Sequence, residues 1–179
     1  MSWYIFGSLL GGLAIGGLAA SIGDAAGLEH VSGSTRLLGA AAFCGAGWLF
    51  DAGVLGRPVP SIHRQVNENW LPEYRGWVYG FGFGVQLGFG LATITRTSTI
   101  YSALVAAFLS GSLFVGLVIG SLFGAVRAAP IILTRSVNTG QQLARLHQRL
   151  QSLDQAARRG AIIGSLLAAL SLVGAVIGL

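Results

Sequence analysis

From Trp3 to Gly23 the chain runs without one charged residue, and it does so again from Gly76 to Thr95 and from Gly160 to Leu179. The run 99–133 carries only Arg127, and the run 36–55 only Arg36 and Asp51. An α-helix needs roughly 20 mostly apolar residues to cross the hydrocarbon of a bilayer. Charged residues make up 9% of the chain, against about 25% in an ordinary soluble domain. So apolar a chain cannot cover its own surface with polar groups in water; in lipid it need not. The sequence predicts an all-α integral membrane protein, a single membrane domain over 1–179. Its architecture is a bundle of about five transmembrane helices, one of them open to being broken, plus two amphipathic surface helices.

The spans fall at about 3–23, 36–55 and 160–179, with two more between 76 and 133. That middle region reads in several ways. Helices 76–95 and 99–129 would form a hairpin; a broken helix 76–110 would be followed by a span at 113–133; or three spans would include a short middle one. Charge decides part of this. All eleven basic residues are Arg, and eight of them lie in the segments 56–75 and 134–160. The excess of basic residues in cytoplasmic loops places both segments on the cytoplasmic side, so the chain crosses an even number of times between them. Two crossings fit and three do not. The expected location is the cytoplasmic (inner) membrane, with the N-terminus inside and the C-terminus outside. The 3–23 run has no Lys or Arg before it and is long for a signal peptide, so a retained span is expected rather than a cleaved leader.

Two segments between spans have their own pattern. Pro58 and Pro60 stop any preceding helix, and Ile62, Val66 and Trp70 recur four apart, which predicts a surface helix over about 61–71. Trp70, Tyr74, Trp77 and Tyr79 then form an interfacial aromatic belt. Leu143, Leu146, Leu150, Leu153 and Ala157 repeat at 3–4 spacing, predicting a helix over about 136–158 with Ser136 as a candidate cap. It would lie on the bilayer or bundle, or contact a partner as a coiled coil.

Glycine spacing is the clearest motif. Gly76, Gly80, Gly84 and Gly88 lie four apart, as do Gly116, Gly120 and Gly124; Gly7–Gly11, Gly12–Gly16, Gly160–Gly164 and Gly174–Gly178 add single pairs. Residues four apart share a helix face, and a glycine face lets two backbones approach closely in lipid. The spacing specifies helix packing, within this chain or against another, and no activity.

The patch Thr93–Thr99 is the other unusual stretch. If 76–110 is a broken span, Arg96 sits near mid-membrane, where a charge is costly and usually functional. Thr95, Thr97 and Thr99, with Gln86 and Tyr101, would then surround an anion-accepting site at the frayed ends of two half-helices. Otherwise the patch is a polar turn on the outer face. Asp51 is a candidate coupling carboxylate, or an interfacial acid in a salt bridge with an Arg such as Arg127; Arg127 itself is expected to snorkel to the headgroups.

Several functions find no support. The basic charge sits between spans, which argues for topology and against nucleic-acid binding. Cys44 is the lone cysteine, so no internal disulfide or CxxC pair exists. His30, His63 and His147 are scattered, show no metal-ligand spacing and are expected to be solvated. There is no HExxH, no GxSxG and no strand before Gly80–Gly84 to make a nucleotide loop. The chain is therefore expected not to be an enzyme, and nothing in it names a cofactor.

Residues 76–133 run as a Gly-rich helix, a polar break, a short apolar arm, a Ser110-Gly111-Ser112 turn and a Gly-rich span ending near Pro130. This pattern resembles the second half of the CcdA/DsbD-type membrane domain, over about a third of the chain. The resemblance implies a broken-helix scaffold. That family places a Pro-Cys pair at each break, whereas Thr95-Arg96-Thr97 stands here and Cys44 lies in another segment, so thiol electron transfer does not carry over.

Two functional expectations follow. The first is a non-catalytic subunit or assembly factor of a larger membrane complex, packing through its glycine faces and partnered by the lipid bilayer, other membrane subunits or further copies of itself. The second is a small-solute, anion-accepting carrier with its site at the Thr95–Thr99 break.

Overall fold

The computed structural model describes residues 1–56, 75–90, 97–134, 137 and 139–178, and all regular structure among them is helical. The expected surface helix 61–71, together with Trp70, Tyr74, Ser136, Thr95 and Arg96, lies outside the described residues. The helices are α1 (Ser2–Ala25), α2 (Gly33–Asp51), α3 (Gly76–Phe89), α4 (Thr99–Ser110), α5 (Leu113–Ala128), α6 (Pro130–Leu133) and α7 (Gly140–Ile177), with a short 3-10 turn at Leu28–His30. Among the described residues, three stretches are long and apolar enough to cross a membrane: Ser2–Ala25, Leu113–Leu133 and Gly140–Ile177.

Each helix ends for a legible reason. After α1, Gly27 takes a left-handed φ of 76° and its amide bonds back to Asp24 O at 2.8 Å. Ser32 then starts α2 by accepting the Thr35 amide at 3.2 Å. Gly53 (φ 77°) closes α2, and Gly90 (φ 77°) closes α3. Gly111 (φ 55°) separates α4 from α5. That left-handed conformation, which glycine adopts most readily, interrupts the helix, so 99–129 is not one long tilted helix. By contrast α5 and α6 are nearly continuous, because Ala129 between them keeps helical dihedrals and Pro130 merely lacks the amide.

α1 is the centre. It carries six glycines in 24 residues, a composition that would weaken a helix in water but here lets three neighbours approach its backbone. A Cβ on Gly84 would strike the Tyr4 carbonyl and one on Gly88 would lie 2.8 Å from Ser8 Cα, so α3 runs parallel to the first half of α1. Aromatic pairs repeat that register: Trp3 with Trp77 at 5.6 Å, Tyr4 with Phe83 at 5.7 Å and Phe6 with Phe81 at 6.2 Å between centroids. On the next face Gly12 and Gly16 meet Gly120 and Gly116, while Ser8 meets Gly124, so α5 runs antiparallel to α1. Ser8 is fully buried where α1, α3 and α5 meet, and its hydroxyl donates to Gly124 O at 2.8 Å.

Farther along α1, Gly23 faces the Phe108 carbonyl of α4. Ile15 and Gly16 lie near Ile100 and Ala103. α4 therefore runs parallel to the second half of α1. In consequence α3 and α4 follow one another along α1 in the same sense, with the residues between Gly90 and Thr97 joining them. Gly90 closes the gap from one side, since a Cβ there would sit 2.5 Å from Ile100 Cδ1.

α2 runs antiparallel to α4, with Gly39 facing Leu109 and Gly47 facing Ser98, and α7 packs on α2. The expected helix 136–158 and the span 160–179 are one uninterrupted helix of 38 residues, about 57 Å long at 1.5 Å per residue. Thr139, rather than Ser136, caps it. Its side chain accepts the Gln142 amide at 3.3 Å, and the Gln142 side chain accepts the Thr139 amide at 3.2 Å.

Candidate functional site: the junction of α3 and α4

The start of α4 lies beside the middle of α1, and the end of α2 meets it there. A helix start leaves amides without partners. Ser98 holds the N-cap position, but its own side chain makes no cap bond. Asp51, the last residue of α2, supplies the acceptor instead. Its Oδ1 and Oδ2 accept the Ser98 amide at 2.8 and 3.0 Å, and Oδ2 also accepts the Ser98 hydroxyl at 2.8 Å. Both residues are buried, Asp51 at 3% exposure and Ser98 at 4%. Glycine makes the approach possible: a Cβ on Gly47, one turn before Asp51, would lie 2.5 Å from Ser98 Oγ and 3.4 Å from Ser102 Oγ. The Ser102 hydroxyl is sealed from solvent and makes no hydrogen bond within the described structure.

The other end of α4 is treated with opposite charge. Arg36, near the start of α2, donates from Nη1 to Ser110 O at 2.7 Å. An anion at a helix N-terminus and a cation at its C-terminus both stabilise the helix dipole. One helix thus clamps another at both ends. Arg158 of α7 completes the junction by donating from Nη2 to the Asp51 carbonyl at 3.2 Å.

Of the residues singled out from the sequence, Asp51 stands at this junction, bonded to Ser98. Thr97 is half-buried just ahead of it, and Thr99 is exposed. Tyr101 is half-buried in the first turn of α4, and Gln86 is half-buried in the last turn of α3. Arg127 sits in the last turn of α5, with its guanidinium carbon 5.5 Å from the centroid of the Phe123 ring. Gly84, Gly88, Gly116, Gly120 and Gly124 are buried against α1, whereas Gly76 meets nothing within 4 Å and Gly80 only Trp3 and Tyr4 at 4.0 Å. Cys44 is buried in α2. His30 is exposed beside Glu29, and exposed His147 bonds Gln151 at 3.0 Å. Sequence reasoning passed over Ser98, Arg36 and Arg158. The signal available was one acid and one base at opposite ends of α2, each needing a partner once buried.

Beyond the junction two apolar spaces lie along α1. A groove of about 390 Å³ lies between α1 and α4, lined by Leu18, Ile22, Leu104, Phe108 and their neighbours. A space of about 10 Å³ is enclosed among α1, α4 and α5, too small for a solute. Among the described residues no three His, Cys, Asp or Glu side chains come together to hold a metal ion.

Comparison with known proteins adds one name. The chain is similar to methylamine utilization protein MauF. With the protein of Paracoccus denitrificans it is 31% identical over 122 residues, 68% of this chain and 44% of that protein. With the protein of Paracoccus versutus it is 30% identical over 126 residues, 70% of this chain and 46% of that protein. The chain thus spans about half the length of the curated relatives it matches. No family model matches, and no solved structure does.

Proposed function

We propose that this chain is a non-catalytic integral membrane subunit or assembly factor of a larger membrane complex, serving methylamine utilization as its MauF relatives are named for doing. The observation that carries this reading is the use made of Asp51. The acid at the junction has both oxygens bound to the start of α4, so the polar groups there hold the fold together. The similarity to MauF over two-thirds of the chain supports the same reading.

In this reading the chain crosses the inner membrane five times. α1 passes outward, α2 returns, α3 and α4 together make one broken crossing, α5 with α6 returns, and the apolar half of α7 leaves. The helix directions support that path: α3 and α4 share the sense of α1, and α5 opposes it. It keeps the Arg-bearing segments 56–75 and 134–160 on the cytoplasmic side. The broken crossing is also what the CcdA/DsbD-type resemblance implies.

A second reading is an anion-accepting carrier built at the same break, with Arg96, Thr95, Thr97, Thr99, Gln86 and Tyr101 around the solute. Two half-helices in line favour it, because transporters build sites where a span is interrupted. Extraction of the protein from its source membrane, followed by native mass spectrometry, separates the two. Stoichiometric companion chains support the subunit; uptake of an anion into vesicles holding this chain alone, lost in Arg96→Ala, supports the carrier.

A further inference from the structure

Among the described residues, α7 touches the rest of the chain along one face. Over its apolar half, Ala161, Ile162, Ser165, Ala169, Leu172 and Val176 are the least exposed residues, forming the stripe that packs on α2. Every residue from His147 to Gly160 is exposed, Leu150 at 42% and Leu153 at 49%; before them Leu143 is exposed at 58% and Leu146 is half-buried. The helix contains no proline, and it continues without interruption into its apolar half. A helix whose second half enters the bilayer carries its first half away from the surface, so these leucines are not laid flat on lipid.

The Leu143–Ala157 heptad does not stop at the membrane. Its next positions at the same spacing are Gly160, Gly164, Leu167, Ser171 and Gly174. These lie on the face turned away from α2, and Gly160, Gly164 and Gly174 meet nothing within 4 Å among the described residues. Large leucines suit a seam in water, where apolar area drives association. Small residues suit a seam in lipid, where close backbone approach does. One continuous stripe changes chemistry where its solvent changes.

The residues flanking the stripe specify what covers it. With Leu143 and Leu150 at a and Leu146 and Leu153 at d, Arg149 occupies g and Asp154 the following e. In a parallel, in-register pair, each g residue faces the e residue five positions later on the other helix. Arg149 of one copy then meets Asp154 of the next, twice by symmetry. An antiparallel pair would set g against g and Arg149 against Arg149. Copies of one chain also share one orientation in the bilayer, which makes the pair parallel. We propose that the outward face of α7 is a self-association surface, joining two copies of this chain through a parallel coiled coil that continues into the membrane. The proposal is independent of which companion chains the protein has, because it concerns the contact between two copies of this chain.

The test is oxidative cross-linking of single cysteines introduced into a Cys44→Ala background, in membranes and after purification. Leu150→Cys and Leu153→Cys should each give a band at twice the chain mass, and Gln148→Cys and Gln155→Cys on the far side should give none. Equal bands at all four positions, or none at any, would overturn the proposal. So would an adduct of any other mass, which would assign the face to a different protein. Charge exchange checks the register. Adding Arg149→Asp should abolish the Leu150→Cys band, and adding Asp154→Arg as well should restore it. A band that stays absent in the double exchange, or survives the single one, overturns the parallel in-register pairing. Restoration shows that the loss in the single variant is one of charge pairing.

Discussion

Asp51 receives the amide and the hydroxyl of Ser98, a residue 47 positions away, and so stands as the N-terminal cap that α4 lacks in its own sequence. Arg36, on the same helix as Asp51, caps the far end of α4 through Ser110 O. α4 has only 12 residues, a length at which helices in isolation are marginal. Its ends are therefore made by α2, and the broken line of α3 and α4 depends on tertiary bonds rather than on local propensity.

Removing the acid tests this dependence. Asp51→Ala leaves the buried Ser98 donors without an acceptor and should cost about 1–3 kcal/mol. Asp51→Asn keeps one acceptor oxygen and should cost less, on the order of 1 kcal/mol. Thermal melting in detergent reads both. An Ala variant melting with the parent would mean that the cap does not hold α4.

Arg36→Gln should lower stability by about 1 kcal/mol, the scale of a cation at a partly buried helix C-terminus. Hydrogen exchange locates the effect: faster exchange confined to the last turn of α4 is expected. Uniform acceleration through α2 would instead place the role of Arg36 in its own helix.

Two glycine substitutions should differ sharply. A Cβ on Gly120 meets the Gly12 backbone, whereas one on Gly164 meets open space. Gly120→Ala should destabilise the chain by about 1–3 kcal/mol, the usual cost of overpacking, and Gly164→Ala should leave the melting temperature of the monomer unchanged. Equal effects would contradict the packing of α5 on α1.

Ser8→Ala removes the bond to Gly124 O and should cost about 1 kcal/mol. Ser8→Leu should abolish folding, since the side chain is fully enclosed among three helices. A folded Leu variant, read by protease resistance in detergent, would show that the three-helix contact is looser than drawn.

These contrasts also mark how far the sequence could be read. The all-helical architecture was legible in the charge-free runs. The glycine spacing pointed to close helix packing but not to its location, because a small face fits any backbone. The structure places Gly84, Gly88, Gly116, Gly120 and Gly124 against α1 and leaves Gly160, Gly164 and Gly174 uncovered. The turn at Gly111 could not be told from a continuous helix, because Ser110-Gly111-Ser112 is compatible with either until a positive φ is seen. The continuity of α7 was hidden by a change of polarity at Gly160 that resembles a helix boundary. The partner of Asp51 was hidden because a cap supplied across 47 residues leaves no local pattern.

The central claim is that this chain works as part of a larger membrane complex, and native mass spectrometry after mild detergent extraction from the source membrane tests it most directly. The account predicts this chain in fixed stoichiometry with other chains, and at two copies if the α7 seam is filled. A monomer or homodimer alone, recovered intact and free of companions, would contradict the subunit reading.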